Sequence, residues 1–129
     1  LKIINCIILV LTILAVSVPN LAVSRDDLYT PKYRILGTSS KADIRKAIVE
    51  EYGERMAKIA ECESGLNLYK HNLKDPHGGS YGLFQINAPW IPVAKKMGLD
   101  IMQPNDNFKF AKVILKAQGE KAWSCSKLV

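Results

Sequence analysis

Cysteine, histidine and clustered charge are all scarce in this chain, and each scarcity removes a class of function. Three cysteines and two histidines occur in 129 residues. The histidines, His71 and His77, stand in a loop-like stretch with no cysteine close by, so no metal site is expected. Nothing in the pattern asks for a cofactor. Basic residues outnumber acidic ones, for a formal charge of +6, but they are scattered, as at Arg45, Lys46, Arg55, Lys58, Lys95 and Lys96. No run of five basic residues occurs and no aromatics interleave with them, so a nucleic-acid partner is not expected. Scattered positive charge serves solubility and favours anionic polymers such as cell walls or acidic lipid surfaces. No internal repeat or low-complexity segment is present, which excludes a solenoid. The length allows one domain and excludes a multidomain enzyme or a polytopic membrane protein.

Acidic residues are absent from residues 1–24, and so are aromatics. Lys2 is the only charge before Arg25, and Ile3 to Val18 is almost unbroken apolar sequence. Pro19-Asn20 ends it, and Ala22-Val23-Ser24 presents small residues at −3 and −1 before Arg25. This layout predicts a secretory signal peptide, hence a secreted, periplasmic or cell-envelope protein with no stable membrane insertion after cleavage. The alternative is an uncleaved membrane anchor, since Ile3 to Val23 could just span a bilayer.

Export removes Cys6 with the signal and leaves Cys62 and Cys125 in an oxidising compartment, where a disulfide is expected. Such a bridge closes a loop of 63 residues, worth roughly 4 kcal/mol in the chain-entropy model.

Residues 25–40 read as a linker, with Pro31, Gly37 and Ser39-Ser40 and no sustained period. The folded domain is then 41–129. Ser40 with Asp43 predicts a capped helix start, and Ile44, Ala47 and Ile48 form its apolar stripe. Gly53 breaks the run, and a second helix is expected over 54–63, ended by Gly65. Residues 65–82 are rich in turn formers. Tyr81 to Asn87 reads as a strand stopped by Pro89. A short helix over 91–97 precedes Gly98, and a last long helix runs over 104–118, with Phe108, Ala111 and Leu115 in one stripe. The expected class is α+β, mainly α, with a small loop-rich β region.

The informative residue, and the candidate for chemistry, is Glu63. It lies at +7, +4 and +3 from Met56, Ile59 and Ala60, on the apolar face of its helix, whereas Glu61 points elsewhere, into solvent. Partial desolvation favours the protonated form of a carboxyl, as glycosidic cleavage requires of a general acid. The plain alternative is a structural glutamate that caps a loop or pairs with a lysine. The following loop supplies Asn67, Asn72, Asp75 and Ser80. In a strand, Gln85 and Asn87 share one face with Leu83 and could hydrogen-bond a sugar, while Phe84 and Ile86 pack inward. Gly82 leaves room for a ligand near the backbone.

Glu63-Ser64-Gly65 followed by Ser80-Tyr81-Gly82-Leu83-Phe84-Gln85-Ile86-Asn87 resembles the lysozyme-like superfamily, and most closely its soluble lytic transglycosylase type. The resemblance covers about residues 41–125. It implies a lysozyme-like fold and a monomeric enzyme that cuts peptidoglycan glycan strands between N-acetylmuramic acid and N-acetylglucosamine. It implies Glu63 as general acid and then base. A groove is implied along Gly82 to Asn87, which makes Ser80, Tyr81, Gly82, Gln85, Asn87, Asn72 and Trp90 the candidate substrate contacts. Trp90 and Trp123 could be sugar-stacking walls, with core packing preferred for Trp123.

Ser80 bears on the product. Animal-type lysozymes resemble this stretch but carry an aspartate at that place, and a serine cannot act as the second carboxylate of retaining hydrolysis. The transglycosylase branch works with one essential glutamate and captures the sugar with its own 6-hydroxyl. Asp75 could serve as a second carboxylate from the loop, although a turn role before Pro76 is the simpler reading. An Ala-Tyr-Asn-Ala-Gly motif that many transglycosylases carry late in the domain is missing, and Trp123 and Ser124 stand there instead. A Cys62–Cys125 bridge would bring that segment beside Glu63. Hydrolysis by a lysozyme-type enzyme, a non-catalytic glycan-binding module and a cationic membrane-active protein remain as alternatives.

Overall fold

Ser40 starts the fold by a reciprocal cap. Its hydroxyl accepts from the Asp43 backbone N–H at 3.1 Å, and the Asp43 carboxylate accepts from the Ser40 backbone N–H at 3.3 Å. This satisfies two of the donors that every helix N-terminus leaves open. Helix α1, Lys41–Tyr52, follows and buries Ile44, Ala47 and Ile48. The computed structural model describes residues 37–129. The signal or anchor read over residues 1–24, and most of the linker read over 25–40, lie outside the described residues.

Gly53, at φ +91°, turns the chain directly into α2, Glu54–Ser64, one residue longer than its period suggests. Gly65 ends it in the left-handed conformation, its N–H bonded to Glu61 O at 2.8 Å. The two helices pack on each other, and Ile44, Ala47 and Ile48 of one and Met56, Ile59 and Ala60 of the other are all buried in the same core. Helix α3, Ile91–Lys96, is preceded by a 3₁₀ turn, Ala88–Trp90. Helix α4, Pro104–Gln118, buries Asn107, Phe108, Phe110, Ala111, Val113 and Ile114, and so is enclosed on more sides than a single stripe implies. Two 3₁₀ turns, Glu120–Ala122 and Ser124–Lys127, close the chain.

The β region differs from the single strand expected over 81–87. Three two-residue strands form an antiparallel sheet: β1, His71–Asn72; β2, Ser80–Tyr81; and β3, Ile86–Asn87, in that order. Gly82 to Gln85 is a turn. Gly82 at φ +73° and Gln85 at φ +46° are both left-handed, which no strand accommodates, and Gln85 N–H bonds Gly82 O at 3.1 Å. Leu83 and Phe84 are consequently both fully buried instead of alternating.

Tyr52 joins helices to sheet. Its ring meets Phe84 and Phe108 edge-on, with centroids 5.7 and 5.1 Å apart, and its hydroxyl donates to Phe108 O. Burial first, and then the nearby Glu51 charge, raise its pKa far above the ordinary phenol value. The hydroxyl therefore stays protonated and keeps this hydrogen bond at any physiological pH. The domain is thus mainly helical with a small antiparallel sheet. Among the described residues, no helix is long and apolar enough to cross a membrane.

Candidate active site

Glu63 sits in the last turn of α2 and is half-buried, while Met56, Ile59 and Ala60 on the same face are almost completely buried. Its carboxyl meets the C-terminal segment. The Cys125 backbone N–H donates to Glu63 Oε1 at 3.0 Å, and Ser124 Oγ donates to the same oxygen at 3.2 Å. Among the described residues, Oε2 has no hydrogen-bond partner. The disulfide Cys62–Cys125 holds the two segments together, with Cα atoms 6.0 Å apart. Glu61 points away, as its position on the helix requires, and pairs with Arg45 Nε at 2.8 Å on the surface.

Lys70 is a neighbour of Glu63 that the sequence pattern does not single out. Its Nζ donates to the Glu63 backbone carbonyl at 2.7 Å, and its own carbonyl accepts from Gly82 N–H at 2.8 Å. A cation on the open carbonyls of a helix C-terminus is a favourable cap. Lys70 thus fastens the end of α2 to the turn after β2. Lys70 follows Glu63 by seven positions, beyond the helix end, and no period marks such a contact.

Strand register sorts the remaining candidates. Asn72 pairs with Ser80, and Ser80 pairs with Asn87, so these three lie in one cross-strand row on one face. Tyr81 lies in the other row, with His71 and Ile86, and its ring stacks edge-on to His71 at 5.2 Å. Tyr81 therefore does not share the face that carries Ser80. Gln85 is committed internally, since its Nε2 donates to Lys70 O at 3.0 Å and Gly82 O at 2.9 Å. The open space expected beside Gly82 is filled. A Cβ there would lie 2.5 Å from Asn107 Nδ2, so this glycine admits a buried amide and not a ligand.

Asp75 reaches the row from its loop. Ser80 Oγ donates to Asp75 Oδ2, while the His77 backbone N–H donates to Oδ1 at 2.8 Å and the His77 ring nitrogen Nδ1 lies 3.1 Å from it. The Ser80 hydroxyl first, and the His77 N–H next, hold the Asp75 carboxyl below the usual aspartate range. A lowered native pKa means that the ionised form stabilises the fold. That contribution is complete above the ordinary aspartate range, near pH 4, and is lost as pH falls through the native value. Asp75→Asn is therefore expected to be less stable than the parent by a margin that is constant above about pH 5 and narrows below about pH 4. Denaturant unfolding from pH 6 down to pH 2 measures that margin, and a gap that stays constant throughout would contradict it.

A small cavity of about 60 Å³ opens beside β3, well below the ~300–1,000 Å³ common for small-molecule sites. Gln85, Asn87, Trp90, Ile114, Gln118 and Trp123 contribute to its lining. Asn87 Oδ1 is buried and, among the described residues, has no hydrogen-bond partner. Trp90 is half-buried, with its ring edge-on to Phe110 at 5.8 Å. Trp123 is only 4% exposed, and its indole N–H donates to Phe84 O at 2.9 Å, so it is chiefly a core residue with one edge on the cavity. Glu63, Ser124 and Cys125 do not line the cavity; Trp123 links its wall in sequence to the residues that bind the Glu63 carboxyl. Among the described residues, no three His, Cys, Asp or Glu side chains gather as metal ligands. Comparison of the chain with protein-family models, with curated proteins and with solved structures gives no match.

Proposed function

We propose that this chain is an exported glycosidase that cuts peptidoglycan glycan strands between N-acetylmuramic acid and N-acetylglucosamine, acting as a lytic transglycosylase. The observation that carries the proposal is the state of Glu63. A half-buried carboxyl at the end of α2 has one oxygen occupied by two donors and, among the described residues, the other left without a partner. In this reading Oε2 carries the proton and gives it to the glycosidic oxygen as the bond to C1 breaks. The ionised Glu63 then takes the proton of the sugar's 6-hydroxyl, whose oxygen bonds to C1 of the oxocarbenium-like centre and gives a 1,6-anhydro product. The orphaned Asn87 Oδ1 suits a sugar, because a hydroxyl or acetamido N–H supplies the missing donor, and a buried acceptor without one costs about 1–3 kcal/mol. Trp90 supplies an apolar wall for a ring face. Export is supported by the apolar segment before Arg25 and by the formed disulfide, which suits an oxidising compartment.

One observation favours water as the acceptor instead. The Asp75 carboxylate is bonded to Ser80, on the face where Asn72 and Asn87 also lie, and is held ionised there. An ionised carboxylate so placed could stabilise positive charge at C1 and support hydrolysis. Mass spectrometry of purified peptidoglycan digested with the protein separates these outcomes. Anhydro-muramyl ends are expected. Reducing ends would move the assignment to a lysozyme-type hydrolase with Asp75 as second carboxylate, and binding without fragments would leave a glycan-binding module.

A further inference from the structure

We infer that the disulfide-tethered Ser124–Cys125 segment is the positioning element of the Glu63 acid, so that glycan cleavage depends on the Cys62–Cys125 bond and not merely on the fold it stabilises. The inference rests on the glycosidase reading of Glu63. Cys62 directly precedes Glu63, and Cys125 supplies the N–H that binds Glu63 Oε1. Disulfide and hydrogen bond therefore close one small ring around the carboxyl. A backbone N–H can only donate, and the Ser124 hydroxyl takes a second site on the same oxygen. A proton on Oε1 would force the Ser124 hydroxyl to turn from donor to acceptor. Among the described residues nothing occupies Oε2, so the acid's hydrogen is placed there, on the oxygen left for substrate.

Two bonds keep the segment's own 3₁₀ turn, Ser126 N–H to Trp123 O at 3.1 Å and Leu128 N–H to Cys125 O at 2.9 Å, and apart from those to Glu63 its hydrogen bonds to the rest of the fold lie at its ends. Trp123 is anchored by its buried ring and by its bond to Phe84 O. Arg55 donates to Ser126 O at 2.8 Å and to Val129 O at 2.7 Å, from a side chain that is about half exposed. Between these anchors the disulfide is the one covalent restraint on residues 124 and 125. Without it the chain can pivot after Trp123, and the two donors leave Glu63. Cys62 is exposed, so a small dithiol can reach its sulfur. The dithiol supplies two electrons and two protons, the Sγ–Sγ bond breaks into two thiols, and the reagent closes into its own cyclic disulfide.

The test uses the full chain in three states: oxidised, reduced by dithiothreitol, and oxidised Ser124→Ala. Each is followed by circular dichroism for folding, by kcat and KM on glycan strands, and by the ¹³C signal of the Glu63 carboxyl, identified by its loss in Glu63→Gln. Folded, reduced protein is expected to lose about 10- to 100-fold in kcat with KM nearly unchanged, and to regain it on reoxidation, because a displaced catalytic group costs rate and not binding. Ser124→Ala keeps the bridge and is expected to lose about 10-fold in kcat. The carboxyl signal should move in both. Should the reduced chain unfold, Ser124→Ala decides the matter alone. Unchanged kcat and an unmoved carboxyl signal in folded protein overturn the inference. If oxidised wild type cuts no glycan at all, the glycosidase reading fails, and the carboxyl signal still decides whether the segment holds Glu63.

Discussion

Glu63→Gln is expected to lower glycan cleavage by about 100- to 10,000-fold, the range over which a lost general acid is felt, while the fold stays within about 1 kcal/mol of the parent. The substitution is nearly isosteric. The amide oxygen can still accept from Cys125 N–H and Ser124 Oγ, and the amide nitrogen takes the place of Oε2. What disappears is the transferable proton. Glycan affinity should persist, because the cavity lining at Asn87, Trp90 and Gln118 is untouched. The control is Glu61→Gln, two residues earlier on the same helix. Glu61 pairs with Arg45 at the surface, so its loss should leave turnover unchanged. Rates on purified glycan strands, with melting curves for all three proteins, make the comparison. Wild-type turnover by Glu63→Gln would remove Glu63 from the mechanism.

The parts of this molecule that local chemistry decides were readable from its sequence. Ser40 and Asp43 cap α1 through atoms three residues apart, and Gly65 ends α2 because a left-handed residue is needed there. The long helix over 104–118 has the bounds its pattern suggests. Cys62 and Cys125 pair because no other cysteine follows residue 24. Glu63 was legible for a related reason. Its place on the buried face and its place at the helix end both follow from a period of 3.6 residues. The β region was not readable, since partners far along the chain decide it. The segment from Tyr81 to Asn87 has the composition of a strand, yet Gln85 adopts φ +46°. No local rule gives a glutamine that conformation. It is held there by side-chain bonds to Lys70 O and Gly82 O, and by the burial of Leu83 and Phe84 that the turn permits. The partners of Glu63 were half legible. The disulfide predicted that the C-terminal segment would arrive, but not that Cys125 N–H and Ser124 Oγ would share one carboxylate oxygen.

Sheet register also changes what the candidate residues mean. Asn72, Ser80 and Asn87 come from three separated segments and end in one row, so they can act on one ligand. Tyr81 and Gln85 sit among them in sequence but serve the scaffold, Tyr81 in the opposite row and Gln85 as the clamp of the turn. In the proposed site, specificity would therefore rest on a sheet only two residues long in each strand. Such a sheet cannot hold itself together and must be pinned from outside.

The pin is Asn107, and Asn107→Ala is expected to cost about 3–5 kcal/mol, since it strips partners from three backbone groups at about 1–3 kcal/mol each with partial relief by entering water. Asn107 is completely buried on α4. Its Oδ1 accepts from Phe84 N–H at 3.0 Å, and its Nδ2 donates to Tyr81 O at 2.9 Å and Ile101 O at 2.8 Å. One side chain thus ties the last residue of β2, the turn that follows it and the loop before α4. The lost stability should lower the melting temperature by roughly 15–30 °C for a domain of this size. Asn107→Asp separates shape from hydrogen bonding. It keeps the acceptor for Phe84 N–H but sets an oxygen against the carbonyls of Tyr81 and Ile101, so it should be destabilised to a similar degree at neutral pH and partly recover in acid, where the carboxyl can donate. Gly82→Ala attacks the same contact from the other side, through a Cβ that would lie 2.5 Å from Asn107 Nδ2 and a φ of +73°. Because Gly82 and Asn107 share that contact, combining the two substitutions should cost less than the sum of the single losses. Denaturant unfolding of the four variants measures this. Strict additivity, or an Asn107→Ala protein as stable as its parent, would mean that the turn is held by the burial of Leu83 and Phe84 alone.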